Sequence, residues 1–193
     1  GLLEEDEADD GAERLALKAL RTLAESRPED ATAAMPVLRT LLEDEDAPNA
    51  SKREALQTIR MIAGADPGAV APAAEELVPH LDPSVDDLAQ EAARALGEVA
   101  EEYPEDVFAA VPDLARLVEN GCKGEAHATY ALSQVSREDP EQIEPVAEGL
   151  GDAVVDDSRS PQMRLSAAAA FGRTVGEYPE IGVEFVEDLV SLL

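Results

Sequence analysis

Two histidines, His80 and His127, and one cysteine, Cys122, are all that the sequence offers for general-base, nucleophilic or soft-metal chemistry. A single cysteine excludes an internal disulfide and any cysteine cluster for zinc. His127 stands in Glu125-Ala126-His127 and His80 follows Pro79, and each reads as a surface or helix-end residue. Cys122 has Lys123 beside it, a neighbour that would lower a thiol pKa a little. Gly121-Cys122-Lys123-Gly124 nevertheless reads as a turn carrying an inert thiol, without the spacing of a phosphate-binding loop. A calcium loop counted from Asp6 has its glycine, Gly11, in place, but Ala8 and Leu17 stand where oxygen ligands are required. The run Glu43-Asp44-Glu45-Asp46 attracts cations loosely and reads as a solvated loop. These residues point to no catalytic site, no cofactor and no metal, so the chain is expected to be non-enzymatic.

The charge balance narrows the partners. Against 43 Asp and Glu stand 15 Lys and Arg, a formal charge of −28. Nucleic-acid affinity comes largely from releasing counterions to Lys and Arg, and this chain has no basic track. An anionic membrane surface is disfavoured for the same reason, and no apolar run approaches the roughly 18 residues of a span. With hydrophobic residues at 45%, the chain nonetheless has the material for a core; with aromatics at 3% and no Trp, that core must be Ala, Leu and Val. Only Lys18, Lys52 and Lys123 are lysines. High Asp and Glu, scarce Lys and abundant Ala resemble the proteins of salt-loving archaea. The physics agrees, since at about 1 M salt the Debye length is roughly 3 Å and surface carboxylates barely repel one another.

What positions these residues is a repeat. Pro28, Pro67, Pro104, Pro140 and Pro179 recur at spacings of 36 to 39 residues, preceded by Arg, Asp or Tyr. Twelve residues before them stand Ala16, Ala55, Ala92, Ala128 and Ala167; eight before, Leu20, Ile59, Leu96, Leu132 and Phe171. Five before come Leu23, Ile62, Val99, Val135 and, in the last copy, Thr174 followed by Val175. Steps of four and three put these on one helical stripe, where the small Ala permits close helix crossing. A second helix follows each, opened by Pro36, Pro72, Pro112 or Pro145, with Glu184 replacing proline in the last copy. Proline is tolerated near a helix start because its missing N–H would have been unpaired there. Five units are expected, at roughly 11–46, 47–81, 82–120, 121–156 and 157–193. One helix pair cannot bury its apolar face, whereas stacked pairs can.

Leu2-Leu3-Glu4-Glu5-Asp6-Glu7-Ala8 matches Leu41-Leu42-Glu43-Asp44-Glu45-Asp46-Ala47, so residues 1–10 are expected to be the end of a preceding second helix. Together with the apolar end at Val190-Ser191-Leu192-Leu193, this suggests further repeats or end-to-end self-association.

Arg94-Ala95-Leu96-Gly97-Glu98-Val99 resembles the first helix of a HEAT repeat, and Val111-Pro112-Asp113-Leu114 through Val118 the second. The resemblance to HEAT-repeat and armadillo-like proteins covers nearly the whole chain. It implies an all-α fold, a right-handed α-α superhelix of about five helical hairpins. Enzymes of this fold set a test. Deoxyhypusine hydroxylases hold iron with His-Glu pairs, and no such pair occurs here; solenoid DNA glycosylases need a basic, aromatic surface that this chain lacks. The resemblance also implies that second helices line a concave face. Outward positions there include Arg39, Glu43, Glu75, Glu76, Arg116, Glu119, Glu148, Asp152 and Glu187, while the first helices hold most of the positive charge. The expected function is a cytoplasmic protein–protein interaction scaffold whose acidic concave face takes a basic or amphipathic protein segment. The alternatives are a HEAT-like lyase-type accessory enzyme and an acidic chaperone or mimic that sequesters basic proteins.

Overall fold

The computed structural model describes the backbone from Leu2 to Ser191 and the side chains from residue 11 to residue 191. Every element among the described residues is helical. Five first helices are α1 (Leu2–Ser26), α3 (Asn49–Ala63), α5 (Asp86–Glu102), α7 (Glu125–Glu138) and α9 (Pro161–Glu177). Five second helices alternate with them: α2 (Met35–Glu43), α4 (Ala74–Leu77), α6 (Val111–Asn120), α8 (Ala147–Val155) and α10 (Val186–Ser191). Each first helix packs on the first helix of the next hairpin, as α1 on α3, α3 on α5, α5 on α7 and α7 on α9, which makes an all-α solenoid.

The five proline turns are one structure written in three residue types. Arg27, Asp66, Tyr103, Asp139 and Tyr178 have φ from −147° to −124° and ψ from 59° to 94°. Each precedes a proline, whose ring drives the residue before it out of the helical region and so ends the first helix. Asp66 and Asp139 add a cap, accepting hydrogen bonds from the backbone N–H groups of Ala69 and Glu141. The second proline sits at the start of a second helix or of the short turn leading into one.

The matched stripe is the core. Ala55, Ala92, Ala128 and Ala167 are fully buried, as are Ile59, Leu96, Leu132, Ile62, Val99 and Val135. Thr174 is equally buried, and its hydroxyl donates to the Ala170 carbonyl at 3.1 Å, which satisfies the polar group that the aliphatic copies lack. Ala16 is exposed, because the stripe of α1 has no helix pair stacked on its outer side among the described residues. At the other end Phe171 and Phe185 meet edge to face, 5.1 Å between ring centres, and Val183, Val186 and Val190 are exposed.

Three local readings differ from expectation. Residues 2–10 run into α1 without a break. In the matching stretch 41–47 the helix stops at Glu43 and Pro48 caps the start of the next one, whereas Asp9 stands at the position of Pro48 in the first copy and the helix runs through it. Leu192 and Leu193, part of the apolar end read from the sequence, and the side chains of residues 2–8 lie outside the described residues. In the second hairpin the helix is cut to Ala74–Leu77 and finishes as a 3₁₀ turn, Val78–His80, because Pro79 cannot donate the next hydrogen bond. Finally, Ala115, which stands three residues after its proline as the outward Arg39, Glu75 and Glu148 do, is buried.

Candidate protein-binding face

The second helices carry the residues singled out for binding. Glu43, Glu75, Arg116, Glu119, Glu148, Asp152 and Glu187 are exposed, and Arg39 and Glu76 are half-buried. Successive second helices stand side by side: Arg39 of α2 reaches Glu76 of α4 with Nε at 2.7 Å and with Nη2, and the Glu119 side chain of α6 lies 3.2 Å from where a Cβ on Gly149 of α8 would stand. The hydrogen bonds and charge of Glu76 hold the Arg39 guanidinium pKa above its ordinary value. Arg116 is paired within its own helix, Nη1 to Asp113 at 2.9 Å.

Both arginines of this face are therefore tied. Glu43, Glu75, Glu119, Glu148, Asp152 and Glu187 make no ion pair with the described residues.

The first helices use their charge differently. Arg21 meets Glu54 at 2.9 Å, Arg60 meets Glu91 at 3.1 Å, Arg53 meets Asp87 at 3.5 Å, and Lys123 meets Asp87 at 3.0 Å, each joining neighbouring repeats. Arg159, in the loop before α9, bonds Glu125 at 2.5 Å and the Val118 carbonyl at 2.6 Å. Part of the positive charge of the first helices is thus spent between repeats. Arg21–Glu54 and Arg60–Glu91 occupy the same register; in the next seam Gly97 and His127 replace them, and Tyr130 lies 3.3 Å from where a Cβ on Gly97 would stand. The Tyr130 hydroxyl bonds Glu101, and burial, that hydrogen bond and the carboxylate charge push its pKa up to about 12.

The residues with chemical potential are not brought together. His80 is buried rather than at the surface, and desolvation followed by the nearby Lys52 charge lowers its pKa. Desolvation, then Arg94, lowers that of His127. Burial raises the Cys122 thiol, opposite to the direction expected from Lys123, whose ammonium points instead to Asp87. Among the described residues no group of three or more His, Cys, Asp or Glu is arranged to hold a metal ion, and no helix is long and apolar enough to cross a membrane. Lys52, a cation of the first helix α3, is nine-tenths buried. No periodic signal separates it from the exposed positions around it.

Comparison with solved structures settles the architecture. An engineered protein superposes with a TM-score of 0.75 at 24% identity, over 94% of this chain and 83% of its own. A designed armadillo repeat protein, solved in complex with the peptide (KR)4, superposes with a TM-score of 0.76 at 21% identity, over 93% of this chain and 84% of its own. The fold is an armadillo-like α-solenoid. A second designed armadillo repeat protein gives a TM-score of 0.71 at 23% identity, covering 90% of this solenoid and 80% of its own chain. No protein-family model matches the sequence, and no curated protein matches it. At these identities the likeness carries the fold and not the activity.

Proposed function

We propose that this solenoid is a protein-binding scaffold whose second-helix face, read as the concave one, receives a basic peptide segment. The observation that carries the reading is the asymmetry of charge pairing. Arg21, Arg53 and Arg60 of the first helices pair with carboxylates of the next repeat, whereas Glu43, Glu75, Glu119, Glu148, Asp152 and Glu187 lie along successive second helices with no ion pair among the described residues. Such a row steers and orients an oppositely charged chain. A designed armadillo repeat protein of the same fold was solved in complex with the basic peptide (KR)4, which supports a basic peptide as the occupant.

The surface also fits a cytoplasm rich in salt. At a charge of −28, dilute buffer leaves the carboxylates repelling one another, and molar salt relieves them. Apolar and hydrogen-bonding contacts then supply most of the affinity and charge supplies the register.

Amide hydrogen exchange with and without an eight-residue Lys-Arg peptide tests the function. Protection centred on α2, α4, α6 and α8 is expected. Protection confined to the first helices, or none at saturating peptide, contradicts the reading.

A further inference from the structure

Between the end of α2, the start of α3, the end of the second hairpin and the start of α5 lies a cavity of about 450 Å3. Lys52 and His80 line it from within, and Glu43, Glu45, Glu76 and Asp82 share its walls. Lys52 is only 9% exposed, yet no carboxylate oxygen of the described residues lies within 4.0 Å of its ammonium. Its side chain makes no hydrogen bond with them either. The ammonium nitrogen is not among the fully enclosed unpaired polar atoms, so the stem is buried while the charge keeps contact with solvent at the cavity that Lys52 lines, where a ligand's anion can reach it.

The other repeats show how the position is otherwise handled. Fifteen residues before the repeat proline, the third copy has the buried Ala89, the fourth has Glu125 paired with Arg159, and the fifth has Arg164, whose Nε donates to the Val154 carbonyl at 2.8 Å. Lys52 alone is both buried and without a partner among these interior copies. The wall carboxylates are engaged or turned outward. Arg39 holds Glu76, the Ser84 backbone N–H donates to Asp82 at 2.8 Å, and Glu43 and Glu45 are exposed.

A cation at the floor with anions at the rim fits a ligand of the opposite layout, a carboxylate leading and a positive group trailing. We infer that this cavity takes the terminal carboxylate of a basic residue, seated on Lys52, with its cationic side chain beside Glu43 and Glu45. Glu43 and Glu76 also belong to the second-helix face, so the cavity continues the peptide track, and the occupant that joins both is the C-terminal residue of a basic peptide. The inference rests on the proposed groove for that peptide, but not for the carboxylate site itself, which a free basic amino acid also fits. His80, kept neutral by burial and by Lys52, adds no competing charge.

The experiment compares an eight-residue Lys-Arg peptide with a free C-terminal carboxylate and the same peptide amidated, titrated by calorimetry against the wild type, Lys52→Met and Lys52→Gln. The free acid is expected to bind the wild type about tenfold tighter than the amide, with that preference lost in both variants. Equal affinity of the two peptides for the wild type overturns the site, and this comparison needs no variant to fold. A preference that persists in helical Lys52→Met or Lys52→Gln overturns the role of Lys52. If neither peptide binds, the groove reading fails, and L-arginine against L-argininamide decides the cavity separately. A saturable shift of the His80 ring resonances with L-arginine alone supports the site; no shift, or the same shift with both, refutes it.

Discussion

Arg39 of the first repeat holds Glu76 of the second through two guanidinium nitrogens, one at 2.7 Å, so two residues expected to contact a ligand contact each other. The pair fixes the distance between α2 and α4 and cancels one negative charge on the face. Replacing Arg39 by Met releases Glu76. We predict tighter binding of a basic peptide to Arg39→Met in low salt, by about two- to fivefold, and only a small loss of stability, because the pair is partly exposed. Calorimetric titration and a thermal melt measure the two effects, and weaker peptide binding would assign Arg39 to the ligand instead.

The seam between α3 and α5 carries a more enclosed pair. Glu91 accepts from Arg60 Nε at 3.1 Å and from Gln57 Nε2 at 3.0 Å, with the Arg60 and Glu91 side chains 18% and 16% exposed. Glu91→Gln leaves the guanidinium without its counter-charge and should cost about 1–3 kcal/mol in chemical denaturation. Arg53→Met, at the exposed contact with Asp87, should cost less than about 1 kcal/mol.

Acid should loosen the solenoid through His127. Burial, then the charge of Arg94, lowers its pKa, with Arg60 acting in the same direction and Glu91 in the opposite one. A histidine whose folded pKa lies below its unfolded value of about 6.5 takes up its proton more readily when unfolded. Its contribution is therefore complete above that unfolded value and is lost as the pH falls toward the folded value. Denaturation midpoints measured from pH 7.5 to 5.5 should fall more steeply for the wild type than for His127→Gln; parallel curves would remove His127 from the account.

The salt response follows from charge number alone. Helicity at 222 nm and the melting temperature should both rise from about 0.1 M to about 2 M KCl, as screening shortens the Debye length from about 10 Å toward 3 Å or less. A fold indifferent to KCl would show that the carboxylates are spaced widely enough to need no screening.

Most of the architecture was legible because its signals are local and repeated. Arg27, Asp66, Tyr103, Asp139 and Tyr178 adopt one backbone conformation because each precedes a proline, and no tertiary knowledge is needed to expect that. The Ala stripe held in the four copies that pack against a preceding repeat and failed at Ala16, which has none among the described residues. The pairings were not legible. Arg39 with Glu76, Arg159 with Val118, and Lys123 with Asp87 join residues 36 to 41 positions apart, and their geometry depends on how far one repeat is rotated against the next. The burial of Lys52 and His80 was not legible for a related reason. Their burial depends on how the second hairpin closes after Pro79, and hydrophobic periodicity does not describe that loop. The acidic outward residues are exposed, apart from the half-buried Glu76, but the sequence could not show which of them are paired.

The binding claim rests on those unpaired carboxylates. Its most direct test is a fluorescence-anisotropy titration of a labelled eight-residue Lys-Arg peptide against the wild type and Glu75→Gln/Glu119→Gln/Glu148→Gln, at the lowest KCl concentration that keeps both fully helical. Saturable binding to the wild type, weakened about tenfold or more in the triple variant, is the predicted result. Equal affinities for the two proteins, or no binding to either, would contradict it.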